Sequence, residues 1–127
     1  MNPKQFLLWG GVILVVLGLA GLFFLGPDAQ SSLLGEFFWL DNTENLAHLL
    51  FGVVALAAYY FVKEPLQIKW LTMAVGVVAI IVALLGFINA GGVVPNTAVT
   101  NLENPADNIL HLVVGIWAIG VNFVGKE

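Results

Sequence analysis

The hydrophobic pattern divides the chain into four long apolar stretches separated by short polar clusters. We place these stretches at about 6–25, 45–62, 70–88 and 108–124. A helix that crosses the ~30 Å hydrocarbon core of a bilayer needs ~20 mostly apolar residues. The apolar residues here are consecutive and do not alternate with polar ones, which favours helices over a membrane barrel. The pattern predicts an all-α, polytopic membrane protein with four transmembrane helices.

The second half of the chain repeats the first. Shifted by 63 positions, residues 41–64 align without a gap on residues 104–127. The identical pairs are Asn45/Asn108, His48/His111, Leu49/Leu112, Gly52/Gly115, Ala55/Ala118, Lys63/Lys126 and Glu64/Glu127. Five of these positions fall at i, i+3, i+4, i+7 and i+10, which places them on one face of a helix. We therefore predict one membrane domain over 1–127. Repeat 1 (4–64) and repeat 2 (69–127) form two tandem helical hairpins with pseudo-two-fold symmetry along the membrane normal.

The charged residues are distributed unequally between the two ends of this arrangement. All four lysines fall at the end that carries both termini: Lys4, Lys63, Lys69 and Lys126. The opposite end carries acidic residues and no lysine. Because short cytoplasmic segments are enriched in positive charge, this asymmetry predicts that both termini are cytoplasmic.

Composition narrows the classes of function. The chain is 60% hydrophobic and only 9% charged, whereas about a quarter of a soluble domain is charged, which excludes a soluble globular protein. The absence of cysteine excludes disulfides, thiolate metal sites and covalently attached haem. Four basic residues are too few to form the positively charged surface that binds nucleic acid. Since the chain also contains no nucleophile elbow, metalloprotease helix or phosphate loop, we expect a protein that is not an enzyme.

Capping signals precede the second and fourth spans. Asp41-Asn-Thr-Glu44 and Asn104-Pro-Ala-Asp107 each place an acid three residues after an N-cap residue, as in a capping box. Pro105 occupies the expected first position of the fourth helix. These signals predict where both helices begin.

Residues with ligand chemistry follow the caps at equivalent positions. Glu44 precedes His48 by four residues, and Asp107 precedes His111 by four, so each acid shares a helix face with an imidazole. If the equivalent faces of spans two and four meet across the pseudo-axis, two carboxylates and two imidazoles converge at one depth. That depth is ~10 Å along the helix axis from the cap.

Three interpretations of this polar face stay open. In the first, Asn45, Asn108 and both histidines form a structural polar face, whose bonds between helices contribute ~0.6–2 kcal/mol each. In the second, His48 and His111 bind haem b or a (bacterio)chlorophyll, and Gly52 and Gly115 leave room for the edge of the macrocycle. In a variant of the second, Glu44, His48, Asp107 and His111 hold a divalent metal ion. The third, a proton relay, is the weakest because no charged residue lies near the middle of a span.

The doubled histidine motif reads Asn45-Leu-Ala-His48-Leu-Leu-Phe-Gly52 and then Ala106-Asp107-Asn108-Ile-Leu-His111-Leu-Val-Val-Gly115. In this motif, and over nearly the whole chain, the protein resembles a bacterial family of small four-span membrane proteins catalogued as a domain of unknown function. The resemblance implies an integral protein of the plasma membrane, or of thylakoids in a photosynthetic bacterium. It implies no activity.

We favour a non-catalytic structural or accessory subunit of a membrane assembly. Such a protein contacts membrane lipids, forms a homo-oligomer or joins a larger membrane complex, and needs no cofactor. The alternative is a membrane subunit that binds haem, a chlorophyll-type pigment or a divalent metal through His48 and His111.

Overall fold

Four long α-helices make up most of the structure, a computed structural model that describes residues 1–124. They are α1 (Pro3–Phe23), α2 (Asn42–Phe61), α3 (Pro65–Ile88) and α4 (Ala106–Val124). Each helix is long and apolar enough to cross a membrane, so the predicted all-α architecture with four spans is confirmed. Each helix begins a few residues before the predicted apolar span, because polar and proline residues form its first turn. The predicted equivalences at Lys126 and Glu127 lie outside the described residues.

The helix starts confirm part of the capping prediction. The Asp41 side chain accepts a hydrogen bond from the Glu44 backbone N–H at 2.9 Å, as an N-cap should. The Glu44 carboxylate makes no reciprocal bond. The capping box predicted for the fourth span is wrong, because the Asp107 backbone N–H donates to the Glu103 carbonyl oxygen at 3.0 Å and not to the Asn104 side chain. The Asn104 side chain instead accepts from the Asn108 amide at 3.2 Å.

Consecutive helices pair into two antiparallel hairpins, α1 with α2 and α3 with α4. A Cβ added to Gly11 would lie 3.1 Å from the Gly52 carbonyl oxygen, and one added to Gly76 would lie 2.9 Å from that of Gly115. Two helix backbones can approach this closely only where neither residue has a side chain. The same close crossing therefore occurs in both hairpins.

The two hairpins meet differently at the two ends of the bundle. We call the end with the N-terminus and the α2–α3 link the terminal end, and the end with segments 24–41 and 89–105 the loop end. An apolar core lies toward the terminal end and comprises Phe6, Leu7, Ala58, Ile68, Ala118 and Val121. Within it, Phe6 of α1 packs edge-to-face on Trp117 of α4, with 4.5 Å between ring centroids. Polar groups join the hairpins at the loop end.

The segment between α3 and α4 is bonded to the start of α2. The Asp41 carboxylate accepts from the Thr100 hydroxyl at 2.8 Å and from the Asn101 backbone N–H at 2.7 Å. The Thr43 hydroxyl donates to the Val99 carbonyl at 3.1 Å. These bonds place the residues just before α4 over the beginning of α2.

Candidate functional site

Three buried carboxylates meet where the hairpins join at the loop end. Glu44 belongs to α2, Asp107 to α4, and Glu103 to the segment that precedes α4. Their exposed fractions are 6%, 2% and 6% respectively. One carboxylate oxygen from each lies within 4.8 Å of the others. We call these three residues, together with His48 and His111, the loop-end site.

Glu103 is held in place by neighbouring donors. Its carboxylate accepts from the Trp39 backbone N–H at 3.3 Å and from the Asn101 side-chain amide at 2.5 Å. Burial raises the pKa of Glu103 to about 7; the Asn101 hydrogen bond opposes this shift, and the negative charge of Asp107 adds to it. A cavity of about 390 Å³ opens beside Glu103 and is lined in part by Trp39 and Asn101.

The other two carboxylates have unused hydrogen-bonding capacity. Neither oxygen of Glu44 has a partner, and Asp107 Oδ2 has none. Carboxylates this close repel one another, and burial removes the water that would screen them. Lys4, Lys63 and Lys69 lie at the terminal end, at the far ends of the helices. Because no lysine in residues 1–124 lies near the cluster, protons or a bound cation would balance its charge.

The two histidines converge beside the acids. Their ring centroids are 6.4 Å apart, and the ring planes are inclined by 30°. His111 Nδ1 lies 3.0 Å from Asp107 Oδ1 and 2.9 Å from the Asp107 carbonyl oxygen. Because both of these atoms are acceptors, Nδ1 carries the proton. His48 Nδ1 is buried without a partner, so equivalent positions in the repeat have different bonding.

The asparagines point into their own hairpins. Asn45 and Asn108 are fully buried, and a Cβ added at Gly21 or Gly86 would collide with their side-chain oxygens. The Asn45 amide donates to the Leu40 carbonyl at 3.2 Å. These residues therefore pack α2 on α1 and α4 on α3, and they do not line the space between α2 and α4.

The expectation that Gly52 and Gly115 leave room for the edge of a macrocycle is wrong. Gly52 faces α1, where the Val15 side chain covers it, and Gly115 faces α3, where Ile80 covers it. The physical reason is the helix period. Glu44 and His48, four residues apart, share one face of α2, and Asn45 and Gly52 lie on the adjacent face. The face with the acid and the histidine is turned to the other hairpin, and the face with the asparagine and the glycine is turned to the second helix of the same hairpin.

The sequence interpretation did not include Glu103 in the site. Glu103 precedes Asp107 by four residues, the same spacing that relates Asp107 to His111. Since Glu103 lies outside α4, this spacing gave no reliable signal. Its place depends on how the segment before α4 is bonded to Asp41 and Trp39.

Four apolar helices around a buried polar site at one end define a multi-pass membrane protein. The chain belongs to the family described as a domain of unknown function (DUF4383), whose family model matches residues 4–124. Comparisons with curated proteins and with solved structures gave no match.

Proposed function

We propose that the protein is a non-catalytic structural or accessory subunit of a membrane assembly. In this proposal it resides in a bacterial plasma membrane or a thylakoid membrane, as the family resemblance implies. The lysine distribution favours both termini in the cytoplasm. The observation that supports the role is how the asparagines of the spans are used: the amide groups of Asn45, Asn108 and Asn122 donate to the protein's own helices and loops. The outer faces of the helices are apolar.

Hydrogen bonds within the hairpins illustrate this use. Besides the bonds of Asn45 and Asn108, the Asn122 amide of α4 donates to the buried Thr72 hydroxyl of α3 at 2.8 Å. By contrast, large apolar side chains are exposed on all four helices, among them Trp9, Ile13, Val16, Leu50, Val53, Val78, Ile81, Val113 and Ile116. Such faces suit lipid or the helices of another membrane protein.

Native mass spectrometry of protein extracted in mild detergent tests the proposed role. Tagged and untagged copies are expressed together, and we expect the tagged chain to carry defined additional subunits beyond its own 13.6 kDa. Membranes that contain each copy separately, mixed after solubilisation, control for association after extraction. A tagged chain that is always a monomer without partners would contradict the proposal.

Haem or pigment binding is the second candidate, and the convergence of the two imidazoles supports it. The ring centroids of His48 and His111 are 6.4 Å apart and the ring planes are inclined by 30°, so the two side chains that would hold such a group lie side by side. Since Gly52 and Gly115 are covered, a macrocycle would have to extend away from these glycines.

A visible spectrum of the purified protein separates the two candidates. A Soret or chlorophyll-type band that disappears in both His48→Ala and His111→Ala would support cofactor binding. A colourless protein that remains folded would favour the accessory role. Asn122→Ala, which changes a polar residue of α4 near the terminal end, is the matched control and should leave any such band unchanged.

A further inference from the structure

We propose that the loop-end site binds one hard divalent cation of the calcium type, with the carboxylates of Glu44, Glu103 and Asp107 as ligands. This inference goes beyond the accessory role and does not depend on it. Three observations carry it: the unused oxygens, the spacing of the carboxylates, and the arrangement of the residues that position them.

Unpartnered oxygens are the first observation. Only 6% of Glu44 is exposed, and no N–H or hydroxyl group donates to either of its carboxylate oxygens, whose neighbours are the carboxylates of Asp107 and Glu103. Asp107 is more deeply buried, and its Oδ2 also lacks a hydrogen-bond partner. A buried polar atom without a partner is costly, and it is more so when the group is charged. A divalent cation would use these lone pairs and offset the repulsion among the three carboxylates.

The spacing and the number of the carboxylates favour calcium. The three carboxylate oxygens lie within 4.8 Å of one another, close enough to share one cation. Calcium takes about six to eight oxygen ligands in flexible arrangements that include several carboxylates. Magnesium keeps most of its waters and is usually held by one or two carboxylates. Three carboxylates from different parts of the fold therefore suit calcium better than magnesium.

The histidines do not belong to this ligand set. His111 Nδ1 donates to Asp107 Oδ1, and Asp107 Oδ2 has no hydrogen-bond partner and is free to bind a cation. His111 is thus a positioning residue. His48 is not among the groups whose ligand atoms cluster with Glu44, Glu103 and Asp107. A set of oxygen ligands selects calcium over the transition metals that prefer imidazole.

The origin of the ligands suggests what the cation would do. Glu44 comes from the first hairpin, Asp107 from the second, and Glu103 from the segment that covers the site. One cation would join these three parts of the fold. The cavity at the loop end is lined by one of the three ligands, Glu103.

Equilibrium dialysis with radioactive calcium tests the proposal on the full chain, purified in mild detergent and treated with a chelator. We expect one calcium per chain, bound at least tenfold more tightly than magnesium. Calcium should also raise the melting temperature of the chelated protein, because a ligand that binds only the folded state stabilises it. Absence of stoichiometric calcium binding would overturn the proposal and would leave the accessory role unaffected.

Glu44→Gln and Glu103→Gln are the informative variants. Each keeps the side-chain shape and removes one negative charge, so we expect calcium affinity to fall at least tenfold. The melting temperature measured without calcium shows whether each variant still folds; for Glu44→Gln it should not decrease, because repulsion in the cluster is relieved. Glu36→Gln changes an exposed acid that lines the same cavity and should bind calcium normally.

Two results would overturn the ligand assignment. One is an equal loss of calcium affinity in Glu36→Gln, which would indicate diffuse attraction to acidic residues of the loop end. The other is a preference for zinc over calcium that is lost in His48→Ala, which would indicate a site built on imidazole.

Discussion

His48 and His111 occupy equivalent positions in the two repeats, and their surroundings differ. His111 is held by the carboxylate and the carbonyl of Asp107. His48 Nδ1 has no such partner, since its own acid, Glu44, is directed to the other carboxylates. At the scale of single residues, a duplicated motif thus contains one anchored imidazole and one imidazole without a bond at Nδ1.

This difference predicts unequal effects of the same substitution. His111→Leu leaves the buried Asp107 Oδ1 without its donor, so we expect a loss of about 1–3 kcal/mol in the free energy of unfolding. His48→Leu removes no bond at Nδ1 and should cost about 1 kcal/mol or less. Reversible unfolding in mixed detergent micelles measures both values. Equal losses in the two variants would contradict the assigned bonding.

Each helical hairpin is built around a close crossing of two glycines. In the first hairpin, a Cβ added at Gly52 would lie 2.9 Å from both the Gly11 carbonyl oxygen and the Val15 backbone nitrogen. Backbone atoms cannot rotate away as a side chain can, so a larger residue at this crossing must separate the helices. The same holds for Gly115 against Gly76 in the second hairpin.

At the scale of the hairpin, Gly52→Ala and Gly115→Ala should each destabilise the protein by about 1–3 kcal/mol through overpacking. Gly120→Ala is the matched control, because an added Cβ there would meet no atom within 4 Å. We expect the control to be neutral or to stabilise α4 by up to about 1 kcal/mol, the difference in helix propensity between alanine and glycine. Thermal melting of the three variants in one detergent tests the order; a control as unstable as the other two would refute the crossing.

Across the whole molecule, Asp41 connects the two hairpins. One carboxylate oxygen caps α2, and the other accepts from Thr100 and Asn101 in the segment before α4. That segment also carries Glu103 into the loop-end site. One side chain at the start of the second span therefore helps to position a residue from the opposite half of the chain.

Asp41→Ala should weaken this connection. Loss of the cap costs about 1 kcal/mol, and loss of the two other bonds raises the total to about 2–3 kcal/mol. Hydrogen exchange at the amides of residues 97–101 should become faster, because Asn101 loses its acceptor. Asp28→Ala is the control: Asp28 accepts from Ser31 within its own segment, so exchange near residue 100 should stay unchanged. Unchanged exchange at 97–101 in Asp41→Ala would contradict the connection.

The sequence by itself determined the four helices, the two hairpins and four members of the loop-end site. Helix formation follows from long apolar stretches, and the pairs Glu44/His48 and Asp107/His111 follow from a spacing of four, which are local properties of the chain. Only the tertiary structure decided which neighbour each helix face packs against. The faces with the glycines and asparagines pack within each hairpin, and the acids of the two hairpins face one another. It also brought Glu103 into the site, because the position of a residue outside a helix depends on distant partners such as Asp41 and Trp39, which no periodicity encodes.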